Sequence, residues 1–149
     1  MRTITHIVLH CSAGSQRQKA ADIVRYHKQT LKWKAPGYHY IVEADGTVYN
    51  VHPESQPSNG VKGHNATTIH VCYVGGIDPQ GRGTDNRTAA QKASLVKVLK
   101  ELRRRYPSAV ILGHRDLASK DANGNGVIDP WERVKECPCF DAIPEYKDI

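Results

Sequence analysis

His10 and His114 each end a short run of apolar and β-branched residues, Ile4 to His10 and Ala109 to Leu112 followed by Gly113-His114, while Cys137 lies in a late loop. Imidazole nitrogen and thiolate sulfur are donors that zinc takes. A catalytic zinc site uses three such ligands and leaves the fourth position to water. The separations are long, since His114 follows His10 by 104 positions and Cys137 follows His114 by 23, so there is no local ligand motif of the finger type. An isolated histidine at a strand end is more often a hydrogen-bonded structural residue. Cys139 adds a second arrangement, in which His10, His114, Cys137 and Cys139 would close a structural site with no water to activate. Pro138 stiffens the segment between the two cysteines and favours the open set.

The elements that must position these residues can be read from spacing. Ile4 to His10 reads as a buried strand running into the small residues Cys11-Ser12-Ala13-Gly14. From Lys19 to Lys32, Ala20, Ile23, Val24, His27 and Leu31 recur every three to four residues, which predicts an amphipathic helix. Asp45-Gly46 between Tyr38–Val42 and Thr47–Val51 predicts a hairpin. A polar loop from Pro53 to Thr68 leads to a buried strand, Ile69 to Val74. Thr88 with Gln91 forms a capping box for a helix reaching Pro107, with Ala89, Ala93, Val96, Leu99, Leu102 and Tyr106 on one face. Strands interleaved with two long helices predict an α/β fold, one domain over residues 1–149, with a mixed central sheet of five to six strands flanked by helices.

Composition narrows the function classes. A chain of 149 residues with 39% apolar and 24% charged residues has the profile of a globular domain, long enough to bury a core without disulfides. The four cysteines, Cys11, Cys72, Cys137 and Cys139, do not form a disulfide framework and are expected to be reduced. The first apolar stretch is too short for a signal peptide or membrane helix, so the chain is expected to be made in the cytoplasm and to have no membrane partner. Net charge is +6, which draws the chain toward anionic partners such as nucleic acid, acidic lipid or bacterial wall polymers. The densest basic cluster, Arg103-Arg104-Arg105, ends a predicted helix, where cations also suit the helix dipole.

Several segments, taken together and in order, resemble the zinc-dependent N-acetylmuramoyl-L-alanine amidases of the type 2 family, which includes short phage lysozymes and the peptidoglycan recognition proteins. They are Ile7-Val8-Leu9-His10-Cys11-Ser12-Ala13, Gly37-Tyr38-His39-Tyr40-Ile41-Val42 with Asp45-Gly46-Thr47-Val48, Gly60-Val61-Lys62-Gly63-His64-Asn65, Cys72-Tyr73-Val74-Gly75-Gly76-Ile77-Asp78, Gly113-His114-Arg115-Asp116 and Lys135-Glu136-Cys137-Pro138. The resemblance implies one zinc ion on His10, His114 and Cys137, with Tyr38 and Lys135 as catalytic side chains. It places His64 and Asn65 in the groove wall as candidate substrate contacts; His39, next to Tyr38 but expected to point to the opposite face, is assigned a supporting or substrate-contacting role. His70 departs from the family, which usually has a small residue at that strand position. In an extended segment, residues two apart face the same way, so Lys135 is expected to share the pocket with Cys137, whereas Cys11 turns away from His10. Zinc would lower the pKa of water toward ~7, and a cation at Lys135 would stabilise the oxyanion of the tetrahedral intermediate.

Between His114 and Cys137 the chain carries Asp121-Ala122-Asn123-Gly124-Asn125-Gly126-Val127-Ile128-Asp129-Pro130-Trp131-Glu132, an insertion relative to the short phage enzymes. It fits a twelve-residue calcium loop, with Asp121, Asn123, Asn125, the Val127 carbonyl, Asp129 and Glu132 as oxygen ligands to a Ca2+ ion. The main functional expectation is hydrolysis of the amide between N-acetylmuramic acid and L-alanine by a monomer acting on bacterial peptidoglycan. It would act on the wall after release, as an endolysin does, or on imported wall fragments. A non-catalytic peptidoglycan-binding module is the first alternative, and the complete ligand set speaks against it. A basic nucleic-acid- or polymerase-binding regulator is the second. No recognised nucleic-acid motif is present, and no nucleic-acid partner is expected.

Overall fold

The computed structural model describes residues 2–118 and 136–149. Five strands form one sheet in the order β3-β2-β4-β1-β5, with β1 His6–Cys11, β2 Tyr40–Val42, β3 Val48–Asn50, β4 Thr68–Tyr73 and β5 Val110–Gly113. Strands β2, β4, β1 and β5 run parallel, and β3 returns antiparallel to β2 as the Asp-Gly hairpin predicts. This is the mixed sheet expected from the sequence. The central strands β4 and β1 are almost wholly buried, in keeping with their largely apolar runs.

Register sorts the side chains by face. Ile7, Leu9 and Cys11 on β1 share one face with Ile69, Val71 and Tyr73 on β4 and with Ile111 on β5, forming the main core. Helix α2, Ala89–Arg105, covers that face with Leu95, Leu99 and Leu102, each worth about 1.5–3 kcal/mol on burial. The expected stripe is therefore rotated: Ala89 and Ala93 are exposed, whereas Leu95 and the polar Gln91 face inward. Gln91 is satisfied there. It completes the capping box with Thr88 and donates its side-chain N–H to the carbonyls of Val42 and Val74 at 3.1 and 2.9 Å.

On the opposite face, Val8, His10, His70 and Cys72 lie in register between two small apolar clusters. One joins Ile41, Cys72 and Val74 to Ala20 and Ile23 of α1, Ala20–Arg25. The other joins Val8 and Leu112 to Val61. Glu43 anchors the start of α1, accepting from the Ala20 N–H at 2.8 Å. The predicted helix does not run evenly to Lys32. A π-helical turn, Tyr26–Thr30, follows α1 and closes with the Leu31 N–H on the Tyr26 carbonyl. The extra residue shifts the helical phase. Leu31 thereby turns to solvent, off the predicted face, whereas His27 is buried on it as expected.

Candidate metal centre

His10 stands one residue before the end of β1 and is 1% exposed. His114 follows Gly113 at the end of the neighbouring β5 and opens the short helix α3, His114–Ala118. Their rings lie 4.8 Å apart between centroids. The ligand atoms of His10, His114 and Cys137 all lie within 4.8 Å of one another, close to the spread that bonds of about 2.0–2.3 Å to a single ion span. Two imidazoles and one sulfur form a donor set suited to zinc.

Cys137 is far from His10 in sequence, so its position depends on backbone anchors. The Cys11 N–H donates to Cys137 Sγ at 3.0 Å, the Arg115 N–H to the Cys137 carbonyl at 2.8 Å, and the Tyr73 hydroxyl to the Pro138 carbonyl at 2.6 Å. Arg115 is itself buried and ion-paired with Asp141 and Glu136. Sequence reading missed this anchor, although Arg115 directly follows His114 and precedes Asp116, whose carboxylate accepts from the Gly113 N–H at 2.8 Å.

Burial sets the protonation of the cluster. His10 and His70 are held well below the usual imidazole range, first by desolvation and then by neighbouring imidazoles. Both are therefore neutral at pH 7, the form in which imidazole binds metal. Tyr38 packs its ring 5.1 Å from His10, and burial pushes its phenol well above 10. It remains a hydrogen-bond donor at neutral pH. His27 holds it from behind, with its ring 5.5 Å from Tyr38 and its Nδ1 accepting from the Gly37 N–H at 3.0 Å. A Cβ on Gly37 would come within 3.0 Å of His27. Sequence reading placed His27 only as part of an apolar helical face.

The other expected site residues divide. His39 is sealed from solvent; its Nδ1 accepts from the His70 N–H at 3.1 Å and its Nε2 bonds the Gln56 carbonyl at 2.8 Å, so its position is that of a support. His64 and Asn65 lie half-buried in the loop before β4, where the Asn65 side-chain oxygen is engaged inside the protein. Lys135 and the calcium-loop pattern at 121–132 lie outside the described residues.

Cys139 is not among the grouped ligand atoms: its Sγ bonds the Gly76 carbonyl at 3.4 Å and lies 4.0 Å from Cys11 Sγ. A left-handed backbone at Cys139, φ 72°, carries it away from the cluster. Cys139→Ala is accordingly expected to keep its zinc content and turnover, measured by elemental analysis and peptide release. Loss of zinc in that variant would restore the closed four-ligand arrangement.

A sequence model of the N-acetylmuramoyl-L-alanine amidase family matches residues 1–138. The chain is 41% identical over 114 residues to the endolysin of Enterobacteria phage K11, covering 75% of each sequence. It is 37% identical over 129 residues to the endolysin of Escherichia phage T7, covering 85% of each. Among solved structures, an endolysin from a bacteriophage of Thermus scotoductus superposes with a TM-score of 0.71 at 27% identity, over 93% of this chain and 79% of that one.

Proposed function

This chain belongs to the N-acetylmuramoyl-L-alanine amidase family, and from that premise we propose that it is a zinc hydrolase of bacterial peptidoglycan, cutting the amide between the lactyl group of N-acetylmuramic acid and L-alanine. The observation that carries the reading is the convergence of His10, His114 and Cys137 from three distant parts of the chain. Zinc held by these residues would lower the pKa of water toward ~7 and polarise the scissile carbonyl.

The chain's own side chains supply the rest. Tyr38, protonated and beside His10, offers a donor to the oxygen on which negative charge develops. Lys135, matched by the family resemblance, brings a cation to the same charge. His70 and His27 hold His10 and Tyr38 from behind. The substrate is the polymeric wall, reached after release from the cytoplasm, in the manner that the name endolysin describes for its phage relatives.

A nucleic-acid-binding role has less support. Arg103 is tied to the carbonyls of Tyr106, Pro107, Ala109 and Ile149, Arg104 to Glu101, and Arg105 to Glu54. The densest basic cluster thus serves the end of α2. The deciding experiment measures free peptide released from purified peptidoglycan, with and without a chelator, alongside metal analysis. Release that stops with chelator and returns with zinc is expected. Release indifferent to chelator would remove the zinc reading, and absence of release by zinc-loaded protein would remove the amidase reading.

A further inference from the structure

His70 is fully buried on β4, two positions before Cys72, on the same face as His10. Its Nδ1 lies 2.8 Å from His10 Nε2, and its Nε2 lies 2.8 Å from Asn65 Oδ1. That oxygen also accepts from the Gly60 and Val61 backbone N–H groups at 3.1 and 2.9 Å, which fixes it as the oxygen of the amide. An acceptor at Asn65 requires His70 to donate from Nε2. The neutral His70 ring then accepts at Nδ1, so His10 must donate from Nε2. What remains on His10 is the Nδ1 lone pair, and Nδ1 faces Cys137 Sγ at 3.9 Å.

We propose that His70, oriented by Asn65, is a positioning residue for the metal centre: it locks His10 in the Nε2–H tautomer and presents Nδ1 to the ion. The proposal rests on the zinc reading above. A ligand imidazole usually donates its second N–H to a carboxylate, a carbonyl or water; here that acceptor is another imidazole, backed in turn by an amide. Room for it comes from Gly60, where a Cβ would sit 2.3 Å from His70 Nδ1. His39 closes the rear, its ring nearly parallel to that of His70 at 11° and its Nδ1 accepting the His70 backbone N–H. The imidazole at 70, which departs from the small residue usual there, is thus matched by glycine at 60 and asparagine at 65.

The test uses the full chain and zinc alone as probe. Competition with a chelator should show zinc binding weakened about 10- to 100-fold in His70→Ala. His70→Gln should recover most of the affinity, because its amide can accept from His10 and donate to Asn65. Nitrogen-15 spectra of the metal-free parent should show both His10 and His70 protonated on Nε2. His10 should lose that single tautomer in His70→Ala, a change that a packing role alone would not produce. The parent spectrum needs no variant to fold, and a proton on Nδ1 of either ring there overturns the proposal. So does zinc affinity equal to the parent's in a folded His70→Ala chain. A parent that binds no zinc would remove the metal reading itself and the relay with it.

Discussion

Cys137→Ala is expected to lose its zinc on dialysis, from about one ion per chain toward none, and to release no peptide from peptidoglycan, while its circular dichroism stays that of the parent. Cys137 contributes the only sulfur in the grouped set. Apparent binding energies of roughly 10–16 kcal/mol in four-ligand structural zinc sites put one ligand at roughly 3 kcal/mol, a loss on the order of 100-fold in affinity. The fold should survive because two of the segment's three anchors act on backbone atoms, the Cys137 and Pro138 carbonyls, which alanine leaves in place, and only the bond from the Cys11 N–H to Cys137 Sγ is lost. His10→Ala and His114→Ala should lose zinc and activity in the same way. Full zinc with full turnover in any of the three would end the three-ligand account.

The second large effect separates catalysis from metal binding. Lys135→Ala and Tyr38→Phe are each expected to lower turnover by a factor on the order of 100, the usual cost of removing one donor or cation from a developing oxyanion, with zinc content unchanged. Phenylalanine keeps the ring that packs between His10 and His27, so only the hydroxyl is tested. Steady-state release from a soluble muropeptide reads kcat apart from KM, and the loss should fall on kcat. Undiminished turnover in zinc-loaded Lys135→Ala would remove the oxyanion role.

Much of this arrangement was legible because the candidate ligands sit at punctuation points. His10 and His114 end apolar strands, and Thr88 with Gln91 marks the start of α2. Other features depend on relations that one-dimensional spacing does not carry. The buried stripe of α2 was misplaced because Gln91 looks like a surface residue until the carbonyls of Val42 and Val74 are known to await it. The π turn that takes Leu31 off the predicted face leaves no apolar signature. The role of His70 requires the β1–β4 register, in which His10 pairs with Cys72 and Val8 with His70. The exclusion of Cys139 depends on a single left-handed residue.

The hydrogen bond between the Cys11 N–H and Cys137 Sγ joins residues 126 positions apart. A ribosome makes these positions in order, at roughly 5–20 residues per second. His10 therefore waits for most of synthesis before its sulfur partner exists, and α4, Ala142–Glu145, which packs against β5, comes later still. Contacts of such long separation also form late in folding. On the three-ligand proposal, a chain not yet made as far as Cys137 lacks the sulfur donor and would be inert toward wall polymer. The order of synthesis would then itself delay the activity.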